Sequence, residues 1–479
     1  MQIERALGAM EKYQASKYLN NGYGSVTCTA LFRHPSLQQQ EDGSVIQFYL
    51  DQLYAPLTRL VEKHPQLSLA IADFDKPTIH FIRLDQFDLA SIVSIDTQTT
   101  FWEEGTTLST TIGNETDREY DLNDHTVPLW HLRIGVHEDK PTECSITLAI
   151  HHSIGDGSTV GIFWRELYTE LNKTTSSTAT LPPPNYVIKS NPEKPLLAAY
   201  EHRQAPQITA WDKLRWDLTE KMKSYLPQPF KQYWFPDEWA GDFRAITDKT
   251  KARHETEIRA IHVDTSTWQQ VCLVSKKHGV TPHAPIMAAI VSAFWELWGN
   301  NDIAVETWTP INCRGFCNPP AANDEMGNFV GSYVHTWTPS PPLSFWDKAR
   351  TYHGQLRESK YEGAKAANYM TGFKYPDDFQ TWWYDHWNTN PMARSGGIEC
   401  SDLGRFLSDK QQVDNPLWEL EGLWFAQSSQ MFTMALNLNC ISANGQMFGT
   451  VGWQKGALNE SKAEQFGPLV IDMLKKNCE

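Results

Sequence analysis

The chain has no Cys-x-x-Cys pair. Its eight cysteines are scattered over 479 residues, and Cys313 and Cys317, with three residues between them, have no second ligand pair nearby. No zinc or other metal site is expected, and reduced thiols fit a cytoplasmic protein. Positive charge is also short: 42 Lys and Arg against 57 Asp and Glu leave a net charge of −15. An acidic protein of this kind repels nucleic acid and anionic membranes, which excludes both as partners. The densest basic run is Lys249, Lys251, Arg253 and His254. It reads as a solvated linker, or as the local place where an anionic substrate is met. Long apolar runs are missing too. The longest, "APIMAAIVSAFWELW" at 284–298, carries Glu296 and is short for a bilayer span. The N-terminus, "MQIERALGAMEKYQ", has no apolar core of signal length, so no secretory leader is expected. Without one, the Asn114, Asn172 and Asn459 sequons carry little weight. No Gly-x-Ser-x-Gly elbow supports a serine hydrolase, and no repeat period suggests a solenoid.

What is present suits a globular protein: 41% hydrophobic and 21% charged residues. The length predicts two or three domains. Nineteen Trp favour a cavity lined for a flat or greasy ligand. Apolar spacing predicts a helix over 44–67 that stops at His64-Pro65. Alternation through Trp130, Leu132, Ile134 and Val136, then through Ile146, Leu148 and Ile150, predicts a hairpin. Val160, Phe163, Trp164, Leu167 and Leu171 follow at helical spacing, with Ser158 as the expected N-cap. The second half restarts with a strand at 259–263 and a helix capped by Thr281 with Pro282 at its first position. Strands follow at 302–310, 432–441 and 446–453, the last two hinged on Asn444-Gly445. Strands and helices mix in both halves. The expected fold is therefore α/β in two layered domains, 1–188 and 256–479, with a crossover linker over 189–255.

One stretch, "ITLAIHHSIGDGSTVGIF" at 146–163, concentrates chemistry at a strand end. His151 and His152 are followed by Asp156 and Gly157. Adjacent strand residues point to opposite faces, so one metal ion cannot take both histidines without a kink. A His-plus-carboxylate iron site would need a further histidine from elsewhere. A satisfied strand-end histidine is the bland reading. At this composition, though, four specified residues in one heptapeptide arise by chance in roughly one or two sequences per thousand. The remaining reading is a general base. His152 shares the parity of Ile146, Leu148 and Ile150 and ends the core-facing row, while His151 takes the other face. A partly buried imidazole near its ordinary pKa takes a proton from a hydroxyl at neutral pH. Asp156 orients the loop or anchors it to a cation, and Gly157 permits a close approach.

His151-His152-x-x-x-Asp156-Gly157 resembles the HHxxxDG signature of the chloramphenicol acetyltransferase superfamily. That group includes plant BAHD acyltransferases, fungal alcohol O-acetyltransferases and peptide-synthetase condensation domains. "ERALGAMEKYQ" at Glu4, "KHPQL" at Lys63, "PLWHLRI" at Pro128, "PINCRG" at Pro310, "MGNFVGS" at Met326 and "SDLG" at Ser401 fall in the order seen there, closest to the fungal branch. The resemblance implies two pseudo-symmetric domains with mixed sheets and a tunnel between them. In it, acyl-CoA (acetyl-CoA) as co-substrate meets an alcohol acceptor on a hydrophobic small molecule. It implies His152 as base, His151 and Gly157 as support, and Asp156 turned away from substrate onto Arg314. No bound cofactor is implied, and a cytoplasmic monomer is expected. Two departures stand out. The DFGWG motif of plant members is absent, and "SDLG", carrying Ser401 and Gly404, differs from the commoner Ser-Asn-Leu-Gly by one residue. Ser428 and Ser429 are candidates for an oxyanion hydroxyl in the tunnel, or else ordinary loop serines. Two rivals remain: a condensation-type enzyme using carrier-bound acyl donors, and a catalytically silent binding protein on the same scaffold.

Overall fold

The computed structural model describes residues 2–35, 45–98, 106–173, 185–227, 238–244, 254–299, 303–340, 342–390, 392–407 and 413–479. Lys249, Lys251 and Arg253 of the basic run lie outside the described residues. Among those described, the strands form four sheets. Five strands run in the order Glu419–Gln427, Ser25–Arg33, Glu143–His151, Trp130–His137 and Val93–Gln98. Only the last pair is parallel, so this sheet is mixed. The six-stranded sheet runs Thr256–Val263, Gln446–Gln454, Met434–Ala443, Gly396–Arg405, Val305–Asn312 and Val330–Trp337. It is mixed as well, because Gly396–Arg405 lies parallel to both of its neighbours. Small sheets of three and two strands complete the set. The fold is mixed α/β, with one apolar core around each large sheet.

Strand Glu419–Gln427 belongs by sequence to the second half, yet it pairs in antiparallel register with Ser25–Arg33 of the first. The sheets are therefore not divided at one point along the chain. The expected hairpin is present as Trp130–His137 and Glu143–His151. The early helix runs Val45–Lys63 and ends before His64-Pro65, which opens a short 3-10 turn. The second-half helix spans His283–Trp298 with Pro282 as its N-cap, one residue later than the Thr281 cap predicts.

Helix Gly157–Leu171 buries Val160, Phe163, Trp164 and Leu167, each side chain stabilising by roughly 1.5–3 kcal/mol on leaving water. Its N-cap is Asp156 and not Ser158. The carboxylate Oδ1 accepts from the Thr159 backbone N–H at 2.8 Å, while the Thr159 hydroxyl accepts from the Asp156 N–H at 3.3 Å. The residue singled out for chemistry thus also starts the helix.

Candidate active site

Strand Glu143–His151 is a central strand, and from Cys144 to His151 every residue is buried. Helices Thr106–Thr116 and Gly157–Leu171 both pack on this sheet. Parity therefore does not separate an inner from an outer face here. His151 is the last strand residue and is only 1% exposed, whereas His152 has left the strand and keeps partial exposure. The imidazole of His151 lies against the Tyr18 and Tyr120 rings, at centroid distances of 4.8 and 5.5 Å. Its Nδ1 accepts from the Ser153 N–H at 3.2 Å. Burial, and next the adjacent His152, push its pKa down to about 3.

The loop after the strand is held from across the molecule. The Asn328 side-chain amide donates to the carbonyls of His152 at 2.7 Å and Ser153 at 2.8 Å. Arg314 and Asp156 form a bidentate pair, with Nη1 to Oδ2 at 2.9 Å and Nη2 to Oδ1 at 3.1 Å. Both are buried, at 2% and 1% exposure. The Phe329 N–H adds a further bond to Oδ2 at 3.1 Å. Burial works against the charge on Asp156, yet Arg314 and these N–H donors outweigh it and hold the carboxyl below its ordinary value. Arg314 in turn donates to the carbonyls of Glu325 and Gly327 and stacks over the Phe329 ring at 4.7 Å. Gly327 sits at φ +144, and its N–H donates to the Thr159 hydroxyl at 3.0 Å. Gln66 of "KHPQL" donates to the Met326 carbonyl at 2.8 Å, and Trp130 of "PLWHLRI" to the Leu67 carbonyl at 2.7 Å. Short segments far apart in sequence thus converge on the histidine loop.

With Asp156 fully engaged by Arg314, Thr159 and Phe329, His152 has no carboxylate at hydrogen-bonding distance among the described residues. Its Nδ1 is buried and finds no hydrogen-bond partner among the described residues. The Tyr23 ring lies 5.6 Å from the imidazole, and the Tyr23 hydroxyl donates to Gln427 at 3.1 Å. Burial, then the positive charge of Lys17, push the pKa of His152 down to about 4; its own carbonyl, Asp156 and the Gly155 carbonyl pull the other way. The expectation of a near-ordinary pKa is corrected on this point: the ring is surrounded by protein even where it keeps some exposure.

Gly157 is at the face turned towards the second half, where a Cβ would come within 2.8 Å of Leu403 in the "SDLG" segment. Ser401 is buried on strand Gly396–Arg405, paired in register with Asn439. Gly404 has φ +69, and its N–H donates to Asp402 at 2.7 Å. Ser428 and Ser429 are buried. The Ser428 hydroxyl donates to Asp117 Oδ1 at 3.2 Å, and Thr256 Oγ1 lies 3.1 Å from Ser429 Oγ. Both serines are therefore hydrogen-bonded within the protein and are not loop serines facing water. Among the described residues, no group of three His, Cys, Asp or Glu side chains is placed to hold a metal ion, and no helix is long and apolar enough to cross a membrane. Lys17, Tyr23, Glu399 and Asn328 around the loop were not singled out from sequence. Only Asn328 carried a signal, by lying inside "MGNFVGS".

The family model for alcohol acetyltransferases matches residues 101–474. No curated protein sequence matches the chain. Among solved structures, trichothecene 15-O-acetyltransferase from Fusarium sporotrichioides is similar with a TM-score of 0.68 at 11% identity, over 98% of this chain and 94% of that one. Polyketide synthase associated protein 5 from Mycobacterium tuberculosis gives 0.62 at 16% identity, over 99% of each chain. The condensation domain of the monacolin K polyketide synthase gives 0.56 at 11%, over 100% of this chain and 98% of that one. At these identities the structures share the fold, while the sequence model covers most of the chain. This chain belongs to the alcohol acetyltransferase family.

Proposed function

We propose that this acyltransferase moves an acyl group, acetyl in the simplest case, from a CoA thioester to the hydroxyl of a hydrophobic small molecule, with His152 as general base. The acceptor and the thioester meet in a tunnel between domains assigned to 1–188 and 256–479, joined by the crossover 189–255. As the hydroxyl oxygen attacks the thioester carbonyl, the imidazole of His152 takes its proton and a tetrahedral oxyanion forms. The carbonyl then re-forms, the C–S bond breaks, and the imidazolium returns the proton to the departing thiolate. Atoms and charge balance without a covalent acyl-enzyme.

The observation that carries this reading is the buried Asp156–Arg314 pair. It takes the loop's one carboxylate away from His152 and anchors the loop, so that the imidazole stays neutral and proton-accepting near pH 7. The imidazolium formed during transfer stands beside a new oxyanion, which stabilises it when it is needed. Trp130, Trp164 and Trp424 are buried in the first core and support structure, so the tryptophan count is a weaker guide to the acceptor than the family is.

A second reading, a condensation-type enzyme using carrier-bound donors, is favoured by one observation: condensation domains share the fold over the whole chain. The test presents the protein with a panel of alcohols and either acyl-CoA donors or an acyl-loaded carrier protein, and reads products by mass. Ester formation from acyl-CoA alone supports the first reading. Product from the carrier-bound donor alone replaces it with the second, and no product with either donor points to a silent binding protein.

A further inference from the structure

Lys17, near the end of helix Ala9–Leu19, is 5% exposed. Lysine ammonium groups are rarely buried unless paired, because taking the charge out of water is costly. Among the described residues, no carboxylate pairs with this one directly. Its Nζ donates to the side-chain oxygen of Gln430 at 2.7 Å and lies over the rings of Tyr13 at 4.7 Å, Tyr23 at 4.9 Å and Trp383 at 6.0 Å. The Gln430 amide nitrogen donates onward to Glu399 at 3.3 Å, and Gln427 donates to the other Glu399 oxygen. Gln430 thus bridges a buried cation and a buried acid, and strand Gly396–Arg405 supplies the acid.

The Tyr23 ring is shared. One side meets the Lys17 ammonium at 4.9 Å, and the same ring lies 5.6 Å from the imidazole of His152. The charge and the base thus lie against the same buried aromatic ring, and protein surroundings screen a charge less than bulk water does. The other charged and titratable groups around His152 do not cancel the effect. Asp156 is paired with Arg314, His151 is neutral, and burial raises the Tyr23 phenol so that it stays un-ionised. Burial also raises Glu399 and lowers Lys17 to about 8, each partly offset by the other.

We propose that Lys17 is a positioning residue for acyl transfer: seated by Gln430 and Glu399 behind Tyr23, its ammonium holds His152 in the neutral, proton-accepting form. The same repulsion hastens return of the proton from the imidazolium to the leaving thiolate. This rests on the reading of His152 as the base.

The sign of the test follows from the charge. Removing a cation beside an imidazole stabilises the imidazolium, so the ring titrates at higher pH, and activity that needs the neutral ring fades earlier as pH falls. In Lys17→Met we expect the imidazole resonances of His152, identified by their loss in His152→Ala, to titrate about one pH unit higher. The acid limb of kcat/KM should move up with them, and Lys17→Arg should restore both. Because Lys17→Met leaves Glu399 without its cation, the double variant Lys17→Gln/Glu399→Gln keeps the buried site neutral and is read in the same way. An unmoved His152 titration in either folded variant overturns the proposal. Failure of the base assignment has a different signature: near-normal turnover in His152→Ala, whatever the titration does.

Discussion

Two half-buried histidines, one in each half of the molecule, are built with the same residue types to opposite effect. His152 follows strand Glu143–His151, and its neighbouring carboxylate, Asp156, is taken by Arg314. His283 opens helix His283–Trp298, and its carboxylate, Asp402, lies on the imidazole itself, with Nδ1 to Oδ2 at 3.2 Å. Its Nε2 faces the Tyr352 hydroxyl at 3.2 Å. For His283, burial works against the charge, and Cys400 and Asp402 outweigh it, so the pKa is raised. For His152, burial and Lys17 lower it. An acid beside a histidine therefore raises the imidazole's pKa or leaves burial to lower it, according to whether an arginine claims the acid first.

The largest expected effect separates the two histidines by activity. His152→Ala should lower kcat/KM by a factor of about 10²–10⁴, the contribution of a positioned general base. His283→Ala should cost less than about tenfold, since its imidazole is held by Asp402 and Tyr352. Both variants should keep a native circular dichroism spectrum. A loss from His283→Ala that matches His152→Ala would dissolve the distinction.

Stability should separate the two carboxylates next. Arg314→Met leaves Asp156 as an uncompensated buried charge and should lower the unfolding free energy by about 3–5 kcal/mol in urea titration. Asp402 and His283 are less enclosed, with side chains 18% and 13% exposed. Asp402→Asn, which also restores the commoner Ser-Asn-Leu-Gly, should cost about 1 kcal/mol. Equal losses would mean that the Arg314 pair does not anchor the loop more firmly than an ordinary ion pair does.

The local half of this architecture was legible in sequence. Alternation through Ile146, Leu148 and Ile150, helical spacing from Val160 to Leu171 and the HHxxxDG heptapeptide located the loop and its elements. Parity misled because it assumes one wet face. Glu143–His151 is covered on both, so His151 at the strand end is the more deeply buried of the pair. The cap misled for a related reason: Ser158 has the right type for an N-cap, but Arg314 fixes the Asp156 carboxylate where the first free N–H groups point. Contacts set by tertiary folding gave no local signal at all. Lys17 and Gln430 are 413 positions apart, and His283 and Asp402 are 119 apart. Neither pair shares a strand, a helix or a turn whose periodicity would link them.

A third carboxylate sharpens the comparison with the smallest expected effect. Asp117 accepts from the Thr256 hydroxyl at 2.6 Å and from the Ser428 hydroxyl at 3.2 Å, and His254 Nε2 lies 3.0 Å from it. Ser428 donates its backbone N–H to the Ser25 carbonyl, and Ser25 pairs in register with His151, so Ser428 stands two strands from the histidine pair. Its hydroxyl is nevertheless turned to an acid that is already shared. Here the carboxylate is shared between hydroxyls and an imidazole, and it ties a strand end to its neighbours. Ser428→Ala should therefore lower stability by about 1 kcal/mol, one buried hydrogen bond, while turnover changes less than about tenfold. A loss of roughly 10²–10³ in kcat with unchanged stability is instead the mark of a missing oxyanion donor, and would move Ser428 from the frame of the site into its chemistry.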